Sequence, residues 1–346
     1  MRGAPLAAAG LVTLAACSAP SDPTTGIALV EQESGITSGL RGLAVVDART
    51  AWIGAPNGQV LRTVDGGANW QVLDVAPAEG TDLRSAHGFS AEHAVFATAG
   101  QPSRIIETRD GGASFQTVWQ DPTGQAFIDS LTFWDDRHGL AFSDPVEGEF
   151  LILLTQDGGA NWNASTGTPE PLVGEAGFAA SNTSIAVSPQ GCAWIGTGGA
   201  ATARVLRSCN QGLDWQAVDT PMAAGRGGAG VFSVVWTGDR VVAVGGDYQE
   251  PDARAGTVSW SRDGGGNWQT ALEPPGGYRS AVAVLPIEPP ALVSTGPNGS
   301  DISRNGAEIW IPWPELAGHN AIAFAPDGTA GWAVGGEGRI TRIELP

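Results

Sequence analysis

An eight-residue pattern, Ser/Thr-x-Asp-x-Gly-x-x-Trp, recurs along the chain, and its spacing restricts the fold more than any other feature. Copies run Thr63 to Trp70 (TVDGGANW), Thr108 to Phe115 (TRDGGASF), Thr155 to Trp162 (TQDGGANW), Ser208 to Trp215 (SCNQGLDW), Ser261 to Trp268 (SRDGGGNW) and Ser303 to Trp310 (SRNGAEIW). The third positions are Asp65, Asp110, Asp157, Asn210, Asp263 and Asn305, separated by 45, 47, 53, 53 and 42 residues. That interval is the length of one four-stranded blade of a ring-shaped β fold.

The chemistry of the pattern is that of a tight turn. The Asp carboxylate or Asn amide accepts hydrogen bonds from turn N–H groups. The glycines supply positive φ angles, and the Trp or Phe opens the next strand. Alternating segments such as Gln59 to Arg62 and Arg204 to Arg207 precede the turns, and apolar segments such as Ala51 to Gly54 and Ala193 to Gly196 lie upstream of those. Each unit therefore reads as strand a, strand b, strand c, turn, strand d. After the sixth turn come three more strand-like segments, Asn320 to Ala325, Gly331 to Gly335 and Arg339 to Glu344, with no fourth. Ile27 to Gln32 is an orphan β segment at the other end. Joining the two incomplete ends removes two exposed sheet edges. The expected fold is all-β, a seven-bladed β-propeller over residues 27–346, closed by pairing of the N-terminal strand with the last blade.

The first residues have a different character. Arg2 precedes the small apolar run Ala4 to Ala16, which is too short to span a bilayer and reads as an export signal. Leu14-Ala15-Ala16-Cys17 resembles the bacterial lipobox, in which the cysteine is lipidated. Residues 1–17 are expected to be a lipoprotein signal and residues 18–26 a Ser/Pro/Thr-rich tether. The expected location is the cell envelope, on the periplasmic or outer-membrane face, with the lipid anchor as the sole membrane contact.

The chain carries a net charge of −18 and no lysine, so nucleic acid is not an expected partner. No Cys/His cluster has metal spacing, and no glycine-rich dinucleotide fingerprint leads a strand into a helix. Neither metal nor cofactor is expected, and the chain is read as a monomer. Cys192 and Cys209 fall opposite each other when the hairpin is folded about Ala200-Ala201, which predicts a cross-strand disulfide in an oxidising compartment.

The repeated turn, together with Trp52-Ile53-Gly54, Leu61 to Gly67, Ala141 to Pro145 and Gly296 to Asp301, resembles the BNR/Asp-box propellers. Over nearly the whole mature chain the likeness is to bacterial relatives of the photosystem II stability/assembly factor. Such sequences are often labelled oxidoreductase or glycosyl hydrolase by similarity, and the group contains scaffolds.

In a propeller the turns after strand c lie on one face, and the d–a connections and b–c loops open on the other. The six turn residues are therefore structural. The channel face gathers the candidate ligand-binding or catalytic residues: Arg41, Asp82, Arg84, Asp129, Glu175, Tyr278, Arg279 and His319 from the approaches to strand a, and Asp144, Asp247, Tyr248 and Asp301 from b–c loops. Arginines there would clamp a carboxylate or sulfate, and paired carboxylates would serve acid–base chemistry. His87, His93 and His138 read as loop or surface residues. The expected function is non-catalytic binding of a partner protein or ligand. The alternative is a hydrolase or lyase acting on an anionic glycan, with an oxidoreductase behind it. For the disulfide, a thiol titration of unreduced denatured protein is expected to find Cys192 and Cys209 blocked; both reacting freely overturns the pairing.

Overall fold

The computed structural model describes residues 24–346; the signal segment, Cys17 and residues 18–23 of the tether lie outside them. The described residues form seven antiparallel four-stranded sheets. The innermost strands, which contact one another around the axis, are Gly42–Val45, Asp82–Gly88, Ile128–Phe133, Ile185–Val187, Ala229–Trp236, Ala281–Leu285 and His319–Phe324. Six sheets run a, b, c, d in chain order. In the seventh, Ala28–Gln32 is the outer strand beside Ile340–Glu344, Ala330–Gly335 and His319–Phe324. Ala28 faces Glu344 and Gln32 faces Ile340. The ring is a seven-bladed propeller closed by strands from both ends of the chain. Because Ala28 lies beside the end of strand c, the chain joins the ring on the face that carries the eight-residue turns.

Those turns share one hydrogen-bond scheme. In the first, Thr63 Oγ1 donates to Asp65 Oδ1 (2.9 Å) and accepts from the Gly67 N–H (2.8 Å), while Asp65 Oδ1 accepts from the Asn69 N–H (3.0 Å). Gly66 and Gly67 have φ of 78° and 81°, a conformation that disfavours any side chain. The Asn69 side-chain amide, then its backbone N–H, hold the Asp65 carboxyl at about 2. This contribution is complete above the ordinary carboxylate range and is lost as pH falls through about 2.

Each blade packs on the next through an apolar cluster, one at each of the seven contacts. Arginine links these clusters to the turns. The Arg62 guanidinium lies 5.2 Å over the Trp52 ring and donates to Gly111 O (3.1 Å) in the next blade's turn. Arg342 covers Trp332 at 5.0 Å and donates to Gly66 O across the closure. Arg240 covers Trp260 at 4.5 Å and donates to Gly306 O (2.6 Å). Cys192 and Cys209 are joined, with Cα atoms 3.8 Å apart, at the end of the Ala193–Gly196 and Arg204–Ser208 hairpin.

The fourth blade departs from the repeat. Its inner strand has three residues, and the segment before it crosses the ring axis. Ala180 O accepts from Arg41 Nη1 (3.1 Å), and Ser181 Oγ donates to Ser280 O (2.7 Å). Asn182 Nδ2 donates to Ala86 O (2.7 Å), and its Oδ1 accepts from the Leu131 N–H (3.2 Å). Thr183 Oγ1 lies 2.6 Å from Ser233 Oγ. These partners sit around the ring, so residues 178–183 plug the channel rather than leaving it open as the repeat alone implies.

Thr155→Val deletes a buried hydroxyl that accepts the Gly159 N–H at 3.0 Å and donates to Asp157 Oδ1 at 2.9 Å. The unpaired amide costs about 1–3 kcal/mol. Chemical denaturation is expected to show a lower midpoint at unchanged slope; an unchanged midpoint removes the structural role from this turn.

Candidate functional site

Four inner strands carry a β-bulge near their mouth end, where the register slips past Arg84, Asp129, Phe232 and Asn320. A bulge breaks the alternation of the strand and re-aims one side chain. Arg84 and Phe232 thereby line a cavity of about 470 Å³ above the plug. Its floor is Phe178, Ala179 and Ala180 of the plug. Its rim is Arg41, Tyr278, Tyr248 and Pro251, with Pro297 and Asn298 from the sixth blade.

Four rings make its wall. Phe178 stacks on Phe232 with centroids 3.7 Å apart. Tyr278 meets Phe232 edge-on at 4.8 Å, and Tyr248 lies 6.5 Å from Tyr278. Tyr248 is half exposed, and burial pushes the Tyr278 hydroxyl up, so it stays protonated as a donor. Two charged side chains line the cavity, and both are arginines. Arg84 pairs with Asp82 at 3.0 Å. Arg41 is largely buried and forms no ion pair among the described residues. Its pKa is lowered, first by burial and then by the Arg84 charge.

The remaining candidates are taken up by the fold. Arg279 is buried, with Nε 2.6 Å from Asp301 Oδ2 and Nη1 donating to Tyr278 O (2.8 Å). Asp301 Oδ1 also accepts the Gly276 N–H (3.2 Å). Glu175 accepts from Arg204 Nε (2.9 Å), Thr197 Oγ1 (2.6 Å) and the Leu172 N–H (2.8 Å). His319 is buried, with Nε2 2.8 Å from Thr341 Oγ1 and its pKa lowered by burial, which leaves it neutral. Asp247 caps its own loop, accepting the Gln249 N–H (2.9 Å) and facing Arg226 at 3.5 Å. His87 is no loop residue: it stands on the second inner strand, its ring packed between Phe89 and Phe133.

Asp129 and Asp144 hold the start of the plug. Asp144 Oδ1 accepts the Gly177 N–H (2.8 Å), and a Cβ on Gly177 would stand 2.3 Å from Asp129 Oδ2. Asp129 is buried, and its Oδ2 has no hydrogen-bond partner among the described residues. Burial, then the Asp144 charge, push its carboxyl well up. Glycosidase carboxylates flank the bond they cleave at about 5 Å or more. Here Gly177 closes over both carboxylates and leaves no opening for a substrate between them.

The sequence brought Arg41, Arg84, Tyr248 and Tyr278 forward, and these four do converge on one cavity. It missed Phe178 and Phe232. A signal for Phe178 was present: the turns at Asp157 and Asn210 are 53 residues apart, and the surplus carries the plug.

Asp129→Asn keeps a donor toward Asp144 without a raised acid. A raised pKa makes this group most favourable to the fold below about 3.8 and progressively less so as pH rises. The variant is expected to melt higher than the parent at pH 8, with the gain vanishing near pH 4. An equal difference at both pH values rejects the raised acid.

No protein-family model matches the chain, and no curated protein matches it. Solved structures do. YCF48 bound to a D1 peptide aligns at TM-score 0.65 and 15% identity, covering 95% of this chain and 100% of that one. A catalytically inactive virginiamycin B lyase from Staphylococcus aureus, with quinupristin, aligns at 0.67 and 15%, covering 92% and 100%. An ancestral GH74 enzyme aligns at 0.65 and 14%, covering 90% of this chain and 45% of its own. A peptide-bound YCF48, a lyase and a GH74 enzyme share this ring, and at such identities the ring is what the chain has in common with them.

Proposed function

We propose that this chain is an envelope lipoprotein, anchored through Cys17, whose propeller binds a segment of a partner protein at the channel mouth without chemistry. The observation that carries the reading is the mouth cavity itself. It is open, walled by aromatic rings and edged by two arginines, while Asp301, Glu175 and His319 are committed to internal partners. Rigid aromatic and arginine side chains around a pocket are what a binding hot spot requires. A propeller of the same architecture is found with a peptide bound.

The topology fits the anchor. Residues 24–27 lead into Ala28 on the face of the eight-residue turns. A lipid at Cys17 then keeps that face toward the membrane and directs the mouth away from it. The strong negative charge keeps the body off an anionic lipid surface.

The test is capture of partners from envelope extracts by the full chain. Capture is expected to fall at least about tenfold, a loss of about 1.4 kcal/mol, when Tyr248→Ala and Arg84→Ala are combined. Arg262→Ala, within the Ser261 to Trp268 turn on the opposite face, is expected to leave it unchanged. Capture that ignores the mouth variants, or turnover of a glycan by the purified chain, rejects the reading.

A further inference from the structure

We infer that the mouth cavity recognises a carboxylate carried on an apolar body of about the size of an aromatic ring. This inference rests on the binding reading above and names the ligand chemistry of the same site.

The charge balance at the cavity points to a single anion. Arg84 is neutralised by Asp82 at 3.0 Å, and both side chains are about one-third exposed, 35% and 34%. Arg41 forms no ion pair among the described residues, the Asp82 charge acting on it only after burial and the Arg84 charge, and it is mostly buried, with one N–H spent on Ala180 O at 3.1 Å. The cavity therefore keeps one uncompensated positive charge in a chain of net charge −18. A buried charge without a partner is costly, and a second arginine beside it raises the cost. An anion in the cavity relieves both.

The shape of the donors selects among anions. A guanidinium presents a planar fork that matches a carboxylate in two parallel hydrogen bonds. Tyr278, whose hydroxyl is protonated and able to donate, stands on the same wall. One fork and one hydroxyl suit a monoanion.

The rest of the cavity is built for a ring or a bulky aliphatic group. Phe178 and Phe232 form a stacked pair, Tyr278 closes one side, and half-exposed Tyr248 stands free to cover a ligand. Pro251 and Pro297 complete the lining. A volume of about 470 Å³ lies within the range of small-ligand sites. Phe178 is held by the plug, and Phe232 is turned inward by its bulge. The wall is therefore preformed, which lowers the ordering cost of binding.

Two sources offer this chemistry, a free aromatic acid and the C-terminal residue of a peptide. Calorimetry with the full chain separates them. The probes are hydrocinnamate and an acetylated tripeptide ending in phenylalanine, each beside its neutral amide. The acids are expected to bind at least about tenfold more tightly than the amides. Arg41→Gln, with melting temperature checked, is expected to bring the acids down to the level of the amides. A tighter peptide acid assigns the site to a chain end, and a tighter hydrocinnamate assigns it to a free acid. Equal binding of acid and amide, acid binding untouched by Arg41→Gln, or no acid binding at all overturns the inference. Partner capture that depends on Tyr248, without discrimination between acid and amide, removes this inference and leaves the binding function standing.

Discussion

The structure depends on how one blade is fastened to the next. A four-stranded sheet of this size cannot bury both faces alone, and here each face is covered by a neighbour. The fastening has an apolar part and a polar part. The apolar part is the row of clusters around Trp52, Phe96, Phe142, Trp194 and Trp332, all buried to within 2% of completely. The polar part is the arginine that lies over the tryptophan and ends on a turn carbonyl of the adjacent blade. A guanidinium can do both at once, because its flat face stacks on an aromatic ring while its edge donates. An ammonium could reach the carbonyl but would stack less well, and the chain uses no lysine anywhere.

The plug turns this generic ring into a particular one. Residues 178–183 satisfy polar groups of several inner strands at once, so the axis is filled by hydrogen-bonded chain. Above the plug lies the aromatic and cationic mouth. Below it lies a second cavity of about 450 Å³, lined by Val187, Val235, Val284 and Phe324 among others, with no charged group. The two ends of the axis differ in chemistry because one segment separates them.

The fold was legible because its signal is local and repeated. The spacing of Asp65, Asp110 and Asp157 gave the blade, and the two unmatched ends gave the closure. The site was less legible because it depends on register. That Arg279 forms an ion pair while Arg41 forms none among the described residues cannot be read from their similar positions before strand a. It turns on Asp301 standing beside Arg279, while Asp82 pairs with Arg84. The bulges that aim Arg84 and Phe232 leave no compositional trace, and the fate of Asp129 was set by Gly177, nearly 50 residues away in sequence.

The closing strand has a mechanical consequence. Ala28–Gln32 is held by a five-residue ladder to Ile340–Glu344, and it connects the preceding segment to the ring. Tension drawn along that strand loads the ladder in shear, so its backbone hydrogen bonds resist together. Tension drawn across it peels the same bonds apart one after another. The ring is thus strongest against a pull in line with its own outer strand, and a sideways pull there would open the propeller at the joint between its first and last residues of sheet.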